Sequence, residues 1–449
     1  MSEIIFSRRL TGLTCVFLVM LALPVCVLGQ TGSRLKGGTA RININPPVGS
    51  WLAGWEIRNK PSEGISDTLY AKALVLSDGR TEVAVLSADL IGVTSEIVSA
   101  VRGSVEKQTG IPGSNILITA THTHFGPVIK KYPKPSNPEL VEAPDPEQQY
   151  IERLKEKMVS VIAQAHDGMT GVRVGATKGQ APELIYNRRT KRPDGSVVMT
   201  FVLPPEEEGL IFGPVDPEVG VLRMENSEGA LLGSMINFAC HPVSGGGHGE
   251  GWESWFYDIS ADYPAYAVRV VEQAEGGNCL FTLGTAGDMV PIRRGMKPRF
   301  RIGRALGGEA LRRLQFVPML DHASLAAVQR FVKLPLKEKL AKDATHELKS
   351  GEKWLTTEIQ GIRIGDIFLL GLPGEILVEL GLEIKKQAGV ENLFLLSLSN
   401  ASIGYVCHSA AYDEGGYEAI RASKLARGAG EMMIGEALGI IEELKSNTR

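Results

Sequence analysis

The sequence predicts an α/β protein: layered mixed β-sheets flanked by helices, with a metal site at strand ends. Three observations predict it. Apolar strand-like runs alternate with segments whose apolar residues recur at helical spacing. Glycine is abundant, 51 of 449 residues, which suits many tight turns between strands and helices. Residues with chemistry to offer recur where the strand-like runs stop: His122, His241, Asp288, Glu375 and Tyr405. In layered α/β proteins functional groups gather at the ends of adjacent strands.

Residues 1–29 read as a signal peptide. Arg8 and Arg9 supply the charged start, Leu13 to Leu28 the apolar stretch, and Val27-Leu28-Gly29 a cleavage site before Gln30. The apolar run is shorter than a membrane span needs and contains Pro24. The remainder, 30–449, is expected to be one secreted or periplasmic domain with no membrane span. Its hydrophobic content of 43% and charged content of 22% are those of a soluble globular protein. A net charge of -3 gives no electrostatic case for nucleic acid as a partner. Three cysteines remain after cleavage, Cys240, Cys279 and Cys407; an odd number argues against a disulfide framework. Cys240 and Cys279 read as small buried hydrophobes, and one disulfide stays open in an oxidising compartment. No internal repeat is visible.

Residues 40–55 read as a short strand and a glycine turn. Leu69 to Leu76 and Glu82 to Ser87 flank Ser77-Asp78-Gly79-Arg80, a hairpin pattern that ends in Ala88-Asp89. Ser95 to Lys107 has helical spacing. The run Asn115 to Thr119 then leads into His122-Thr123-His124. Residues i and i+2 of a strand face one side, so both imidazoles are expected to enter one pocket. Neutral imidazole is the commonest ligand for a transition metal. Taken alone, the pair is better read as two polar loop residues; the other strand-end residues reverse that judgement.

Residues 128–146, rich in proline and charge, read as a surface loop that carries specificity. Pro146 to His166 is an amphipathic helix and Val172 to Ala176 a strand; Tyr186-Asn187-Arg188-Arg189 reads as a turn whose basic pair, taken alone, is a solvated loop. Val219 to Met224 and Leu231 to Cys240 pair as strands and deliver His241. Gly245 to Gly249 is a flexible segment whose His248 is the weakest metal candidate. Asp262 sits near the N-cap of a helix to Glu272. Cys279 to Leu283 leads to Asp288, and Ile302 to Leu314 is a helix. Ala326 to Lys333 and Thr357 to Ile364 are strands, the second expected to run on through Gly365-Asp366 to Leu370. Glu375 then opens a helix to Gln387, either aimed back at the strand end or complementing the helix dipole. Leu393 to Leu398 is a strand before Tyr405, Tyr412 and Tyr417, and Glu431 to Leu444 is the last helix.

Five stretches, in this order, resemble the neutral, non-lysosomal ceramidase family. They are Thr119-Ala120-Thr121-His122-Thr123-His124 with Gly126-Pro127, Asn237 to Ser244 around His241-Pro242, Ala286-Gly287-Asp288, Leu372-Pro373-Gly374-Glu375, and Ser399-Asn400 through Tyr405 to Tyr417-Glu418. The resemblance covers roughly residues 38 to 420. It implies a Zn2+ site with His122, His241, Glu375 and Tyr405 as ligands. It further implies His124 as the proton-handling histidine, Arg188 as a contact to the reacting carbonyl region and Tyr417 as an oxyanion stabiliser.

The chain departs from the family pattern in one stretch. In Gly287-Asp288-Met289-Val290-Pro291-Ile292, Val290 occupies the place of a serine that the family uses. The chain also stops near the end of the catalytic domain, so the family's C-terminal β-sandwich module is not expected. The resemblance implies a secreted zinc-dependent hydrolase that cleaves an amide, or N-acyl, bond with zinc-activated water. Two alternatives stand beside it. One is an esterase, lactonase or carbohydrate-active enzyme using the same zinc site. The other is a non-catalytic metal-containing binding protein, which Val290 favours. The expected partner is a small-molecule, lipid-derived or glycan-derived substrate, and nothing in the sequence sets an oligomeric state.

Overall fold

The computed structural model describes residues 35–131, 145–205, 207–245, 253–338 and 352–447. The signal peptide, most of the 128–146 loop and His248 lie outside the described residues. The first sheet is built from β1 (Lys36–Asn43), β2 (Tyr70–Ser77) and β3 (Glu82–Ala88), all antiparallel, and β4 (Ile116–Ala120), parallel to β3 and reached through α1 (Ser95–Thr109). Thr94 caps α1 by accepting from the Ile97 N–H, and Gly110, at φ 84°, ends it. Helix α2 (Gln148–Asp167) buries Leu154, Met158 and Ile162, the face its spacing predicts, in the core it shares with this sheet.

The second sheet runs β5 (Arg173–Gln180), β6 (Glu218–Glu225), β7 (Leu231–Phe238), again antiparallel. Helix α3 (Tyr263–Glu275) then carries the chain to β8 (Asn278–Leu283), parallel to β7. Helix α4 (Met296–Leu314) packs on α3. The third sheet is β9 (Leu325–Pro335), β10 (Trp354–Ile364) and β11 (Ile367–Gly371), antiparallel, then α5 (Val378–Ala388) and β12 (Asn392–Leu396), parallel to β11. Helix α6 (Ala429–Ser446) covers β9 and β10.

One pattern is therefore used three times. Antiparallel strands are followed by a helix and a final parallel strand. The repetition lies in topology and leaves no repeat in the sequence, because only polarity pattern and turn chemistry are needed to specify it. Leu74, Leu76 and Leu117 of the first sheet, Leu222 and Leu280 of the second, and Leu369 and Phe394 of the third share one buried cluster. The sheets therefore pack on each other, with helices outside. Strands buried on both faces read as near-continuous apolar runs, as β2, β8 and β12 do.

The ends of the parallel strands are tied together. The Asn400 N–H donates to Ile118 O at 2.7 Å, Thr119 Oγ1 to Ser397 O at 2.9 Å, and the Ser397 N–H to Leu283 O at 2.8 Å. Asn237 Nδ2 donates to Leu395 O at 2.9 Å. Segments leaving three sheets thus meet at one place.

Several expectations change. Gly365-Asp366 is a two-residue hairpin turn, not a continuation: Ile364 pairs with Ile367, and Gly365 has φ 62°. A glycine at the first central position is the chemistry of such turns. Tyr186 to Arg189 is not a solvated turn, since Ile185–Asn187 pairs with Met289–Pro291 and Arg188 and Arg189 are buried. Glu375 lies before the helix rather than in its first turn, on a two-residue strand in parallel register with Tyr405. Cys240, Cys279 and Cys407 are buried and free, so the disulfide left open by their number does not form. Among the described residues no helix is long and apolar enough to cross a membrane.

Candidate metal centre

Each strand-end histidine is fixed twice by backbone. His122 lies two residues past β4 at φ 67°, a left-handed conformation. Its N–H donates to Leu90 O at 2.9 Å, and its Nδ1 lies 2.6 Å from Ile91 O. The His241 N–H donates to Met289 O at 3.0 Å, and its Nδ1 lies 2.5 Å from Ala286 O. His124 Nδ1 lies 2.9 Å from Gly54 O. A side chain at Gly54 would strike that imidazole, since a Cβ there would sit 2.5 Å from Nδ1. His122 and His124 do enter one pocket, as alternation along a strand predicted. The means are different, because β4 has already ended and the positive φ of His122 turns its ring inward.

The His122 ring meets those of His124 and His241 edge to face, the latter two are tilted at 60° to each other, and the centroids are 4.6 to 5.7 Å apart. Their ligand atoms all lie within 4.8 Å of one another. Glu375 completes the group: its Oε2 is 3.3 Å from His122 Nε2 and 3.2 Å from His241 Nε2. His124 Nε2 is 3.4 Å from His122 Nε2. Burial pushes the His241 imidazolium pKa down to about 4, against the pull of Glu375. Burial, then His122 and His241, holds that of His124 well below its ordinary value.

These facts settle how the acceptors face one another. A carbonyl oxygen only accepts, so each Nδ1 carries a proton, and the His124 and His241 rings, held neutral by burial, present a bare Nε2. The bare Nε2 atoms of His124 and His241 then converge with the Glu375 carboxylate. Such a set repels itself and is satisfied by a cation. An imidazole whose second nitrogen donates to a backbone carbonyl is also the usual outer support of a metal-binding histidine. The donor set suits a divalent ion that takes nitrogen and oxygen ligands.

Tyr405 borders the group. Its hydroxyl bonds to Glu375 and accepts from Arg188 Nη2 at 3.0 Å. Arg188 is buried; its Nε donates to Glu418 Oε1 at 2.8 Å and its Nη2 also to Gly287 O at 2.9 Å. Tyr417 stacks edge-on against Tyr405, centroids 5.8 Å apart, and is 41% exposed, so it stands at the mouth. The structure thus brings His122, His124, His241, Glu375, Tyr405, Arg188 and Tyr417 together. Asp288 serves as support: it accepts from the Val378 N–H and from Asn187 Nδ2, both at 2.9 Å, and so fixes the start of α5 beyond Glu375.

Sequence reasoning passed over two contributors. Glu418 is fully buried and grips both Arg188 and Arg189, the latter at 3.0 Å. A lone acid gives no sequence signal, although the adjacent arginines require a partner once they are buried. Trp55 packs edge-on against His124, centroids 5.5 Å apart. Val290 is fully buried in an apolar cluster with Tyr186 and Val243 beside this wall.

A family model described as neutral/alkaline non-lysosomal ceramidase, N-terminal, matches residues 38–290. Among solved structures, the fold is similar to a neutral ceramidase from Pseudomonas aeruginosa. That match has 18% identity and a TM-score of 0.72, covering 92% of this chain and 75% of that one. A ceramidase complexed with C2 is similar at 17% identity and a TM-score of 0.72, covering 92% of this chain and 76% of that one.

Proposed function

Because the chain belongs to the neutral/alkaline non-lysosomal ceramidase family, we propose that it is a secreted zinc-dependent hydrolase that cleaves an amide, or N-acyl, bond. The observation that carries this reading is the convergence of histidine Nε2 atoms on the Glu375 carboxylate. His122, His241, Glu375 and Tyr405 would hold the ion. A bound zinc ion supplies Lewis acidity, polarising a carbonyl and lowering the pKa of a bound water towards ~7.

The side chains supply the rest. His124 stands at the edge of the group with Nδ1 held by Gly54 O. Its bare Nε2 takes the proton of the attacking water and returns it to the leaving nitrogen, a service worth ~10² to 10⁴ in rate. Tyr417, half-exposed beside Tyr405, donates its hydroxyl to the developing oxyanion. Arg188 adds positive charge on the same side and orients the Tyr405 hydroxyl; burial and Glu375 hold the pKa of that hydroxyl well above its ordinary value, against the pull of Arg188.

Water is the nucleophile in this scheme, so Val290 does not block it. Val290→Ser is expected to cost about 1–3 kcal/mol, because it places a hydroxyl in the apolar cluster, and to leave hydrolysis no faster. Urea unfolding and a rate assay check the two halves. A large gain in rate would mean that the chemistry needs the serine. The same valine favours a second reading, a metal-containing binding protein without turnover.

The test is a panel of N-acyl amides, esters, lactones and glycosides offered to zinc-loaded protein. Turnover of amides ahead of the others supports the proposal. Faster ester, lactone or glycoside cleavage reassigns the bond. Tight binding with no turnover selects the second reading.

A further inference from the structure

Arg294 follows the strand Met289–Pro291 and precedes α4. Its guanidinium lies over two rings, 5.9 Å from the Trp55 centroid and 5.4 Å from that of Phe201. Trp55 in turn packs on His124. Only an indole ring therefore separates this cation from the metal centre. Arg294 Nε and Nη1 are buried and find no hydrogen-bond acceptor among the described residues, and the same holds for Trp55 Nε1. Among the described residues, three buried donors beside the site thus lack an acceptor.

Buried donors without partners are rare in folded proteins, because each costs about 1–3 kcal/mol. Other buried arginines of this protein are better satisfied, Arg299 and Arg363 leaving only Nε without a partner among the described residues. Arg102 binds Glu358 through two nitrogens, and Arg188 and Arg189 share Glu418. Arg58, beside the same wall, is held by the Ala53 and Phe256 carbonyls, which leave its charge uncompensated. This side of the pocket therefore carries two guanidiniums and unfilled donors, and the buried Asp262 carboxylate acts on Arg294 without bonding to it. Phe201 is 39% exposed, so the stack borders solvent.

We infer that Trp55 and Arg294 form an anion subsite, and that the preferred substrate is an amide bearing a carboxylate, such as an N-acyl amino acid. The inference rests on the amide-hydrolase reading for its scissile bond, but not for its anion. The missing partner of three N–H donors is an acceptor. A planar carboxylate matches the guanidinium fork in shape and charge. The indole N–H adds a third bond, and the ring places the anion a fixed distance from the reacting carbonyl. Burial pushes the Arg294 pKa down only to about 10, so it stays charged at neutral pH.

The test separates this inference from the proposed activity by measuring binding and turnover independently. The probes are N-octanoylglycine, which carries a carboxylate, and N-octanoylethanolamine, its neutral counterpart. Both are titrated into zinc-loaded full-length protein by calorimetry, and both are assayed for hydrolysis. Wild type is expected to bind the carboxylate at least about 10-fold more tightly, as one charge-assisted pair provides. Arg294→Gln is expected to bring that ratio to about 1. Arg293→Gln, an exposed neighbour, keeps the wild-type ratio and thereby excludes a general effect of net charge. A melting temperature for each variant shows that the fold is retained. Equal affinities in wild type, undetectable binding of both probes, or a preference that survives Arg294→Gln would overturn the subsite. A binding preference without hydrolysis of either probe would leave the subsite standing and count against the amide-hydrolase reading.

Discussion

His241→Ala is expected to lose the bound metal and to lower amide hydrolysis by about 10³-fold or more. The side chain is 1% exposed and is set by its own N–H and by Nδ1, so its Nε2 has one direction to point. Alanine offers no donor there, and the backbone bond from residue 241 to Met289 O remains. A metal contributes several kcal/mol to stabilising developing charge, and each 1.36 kcal/mol is a factor of ten in rate. The expected loss is therefore in kcat as well as KM. Kinetics with the best amide of the panel and elemental analysis of the same sample check it. Full activity in metal-free His241→Ala protein would rule out the metal route.

Glu418→Ala is expected to destabilise the fold by about 3–5 kcal/mol, the cost of leaving buried cations without their counter-ion. Two guanidiniums converge on this carboxylate, Arg188 Nε at 2.8 Å and Arg189 Nη1 at 3.0 Å, and it has no exposed surface. Glu418→Gln is expected to cost less, since one acceptor stays. Burial opposes ionisation of Glu418, but Arg188 and Arg189 outweigh it and hold its pKa below the ordinary 4.5. The sign follows from linkage: this stabilisation is complete above about 4.5 and is lost as pH falls through the lower folded-state value. Urea midpoints measured against pH test both points. Wild type should lose stability through that acid range, and Glu418→Gln should show a shallower loss. Activity should fall with Glu418→Ala as well, because Arg188 also orients the Tyr405 hydroxyl.

The residues that converge were largely legible in the sequence, and the reasons they converge were less so. Strand ends could be read from apolar runs that stop at His122, His241, Glu375 and Tyr405. The alternation argument placed His122 and His124 together correctly, yet the operative cause is a left-handed backbone at His122, which periodicity cannot see. Glu375 looked like a helix first-turn acid because an apolar-periodic segment follows it directly. The pairing that moves it into register with Tyr405 joins residues thirty apart, and local pattern carries no such information. Gly365-Asp366 reads as strand interior because apolar runs flank it on both sides, whereas its two-residue length is a hairpin signal. Arg188 and Arg189 looked solvated, since burial of a cation depends on a distant partner, here Glu418.

The most direct test of the account is the metal content of purified, zinc-loaded protein, measured for wild type beside His122→Ala. The account predicts about one zinc per wild-type chain and loss of that zinc in the variant, with both proteins folded by circular dichroism. A wild-type chain that retains no metal, or a variant that binds it as tightly as wild type, would contradict it.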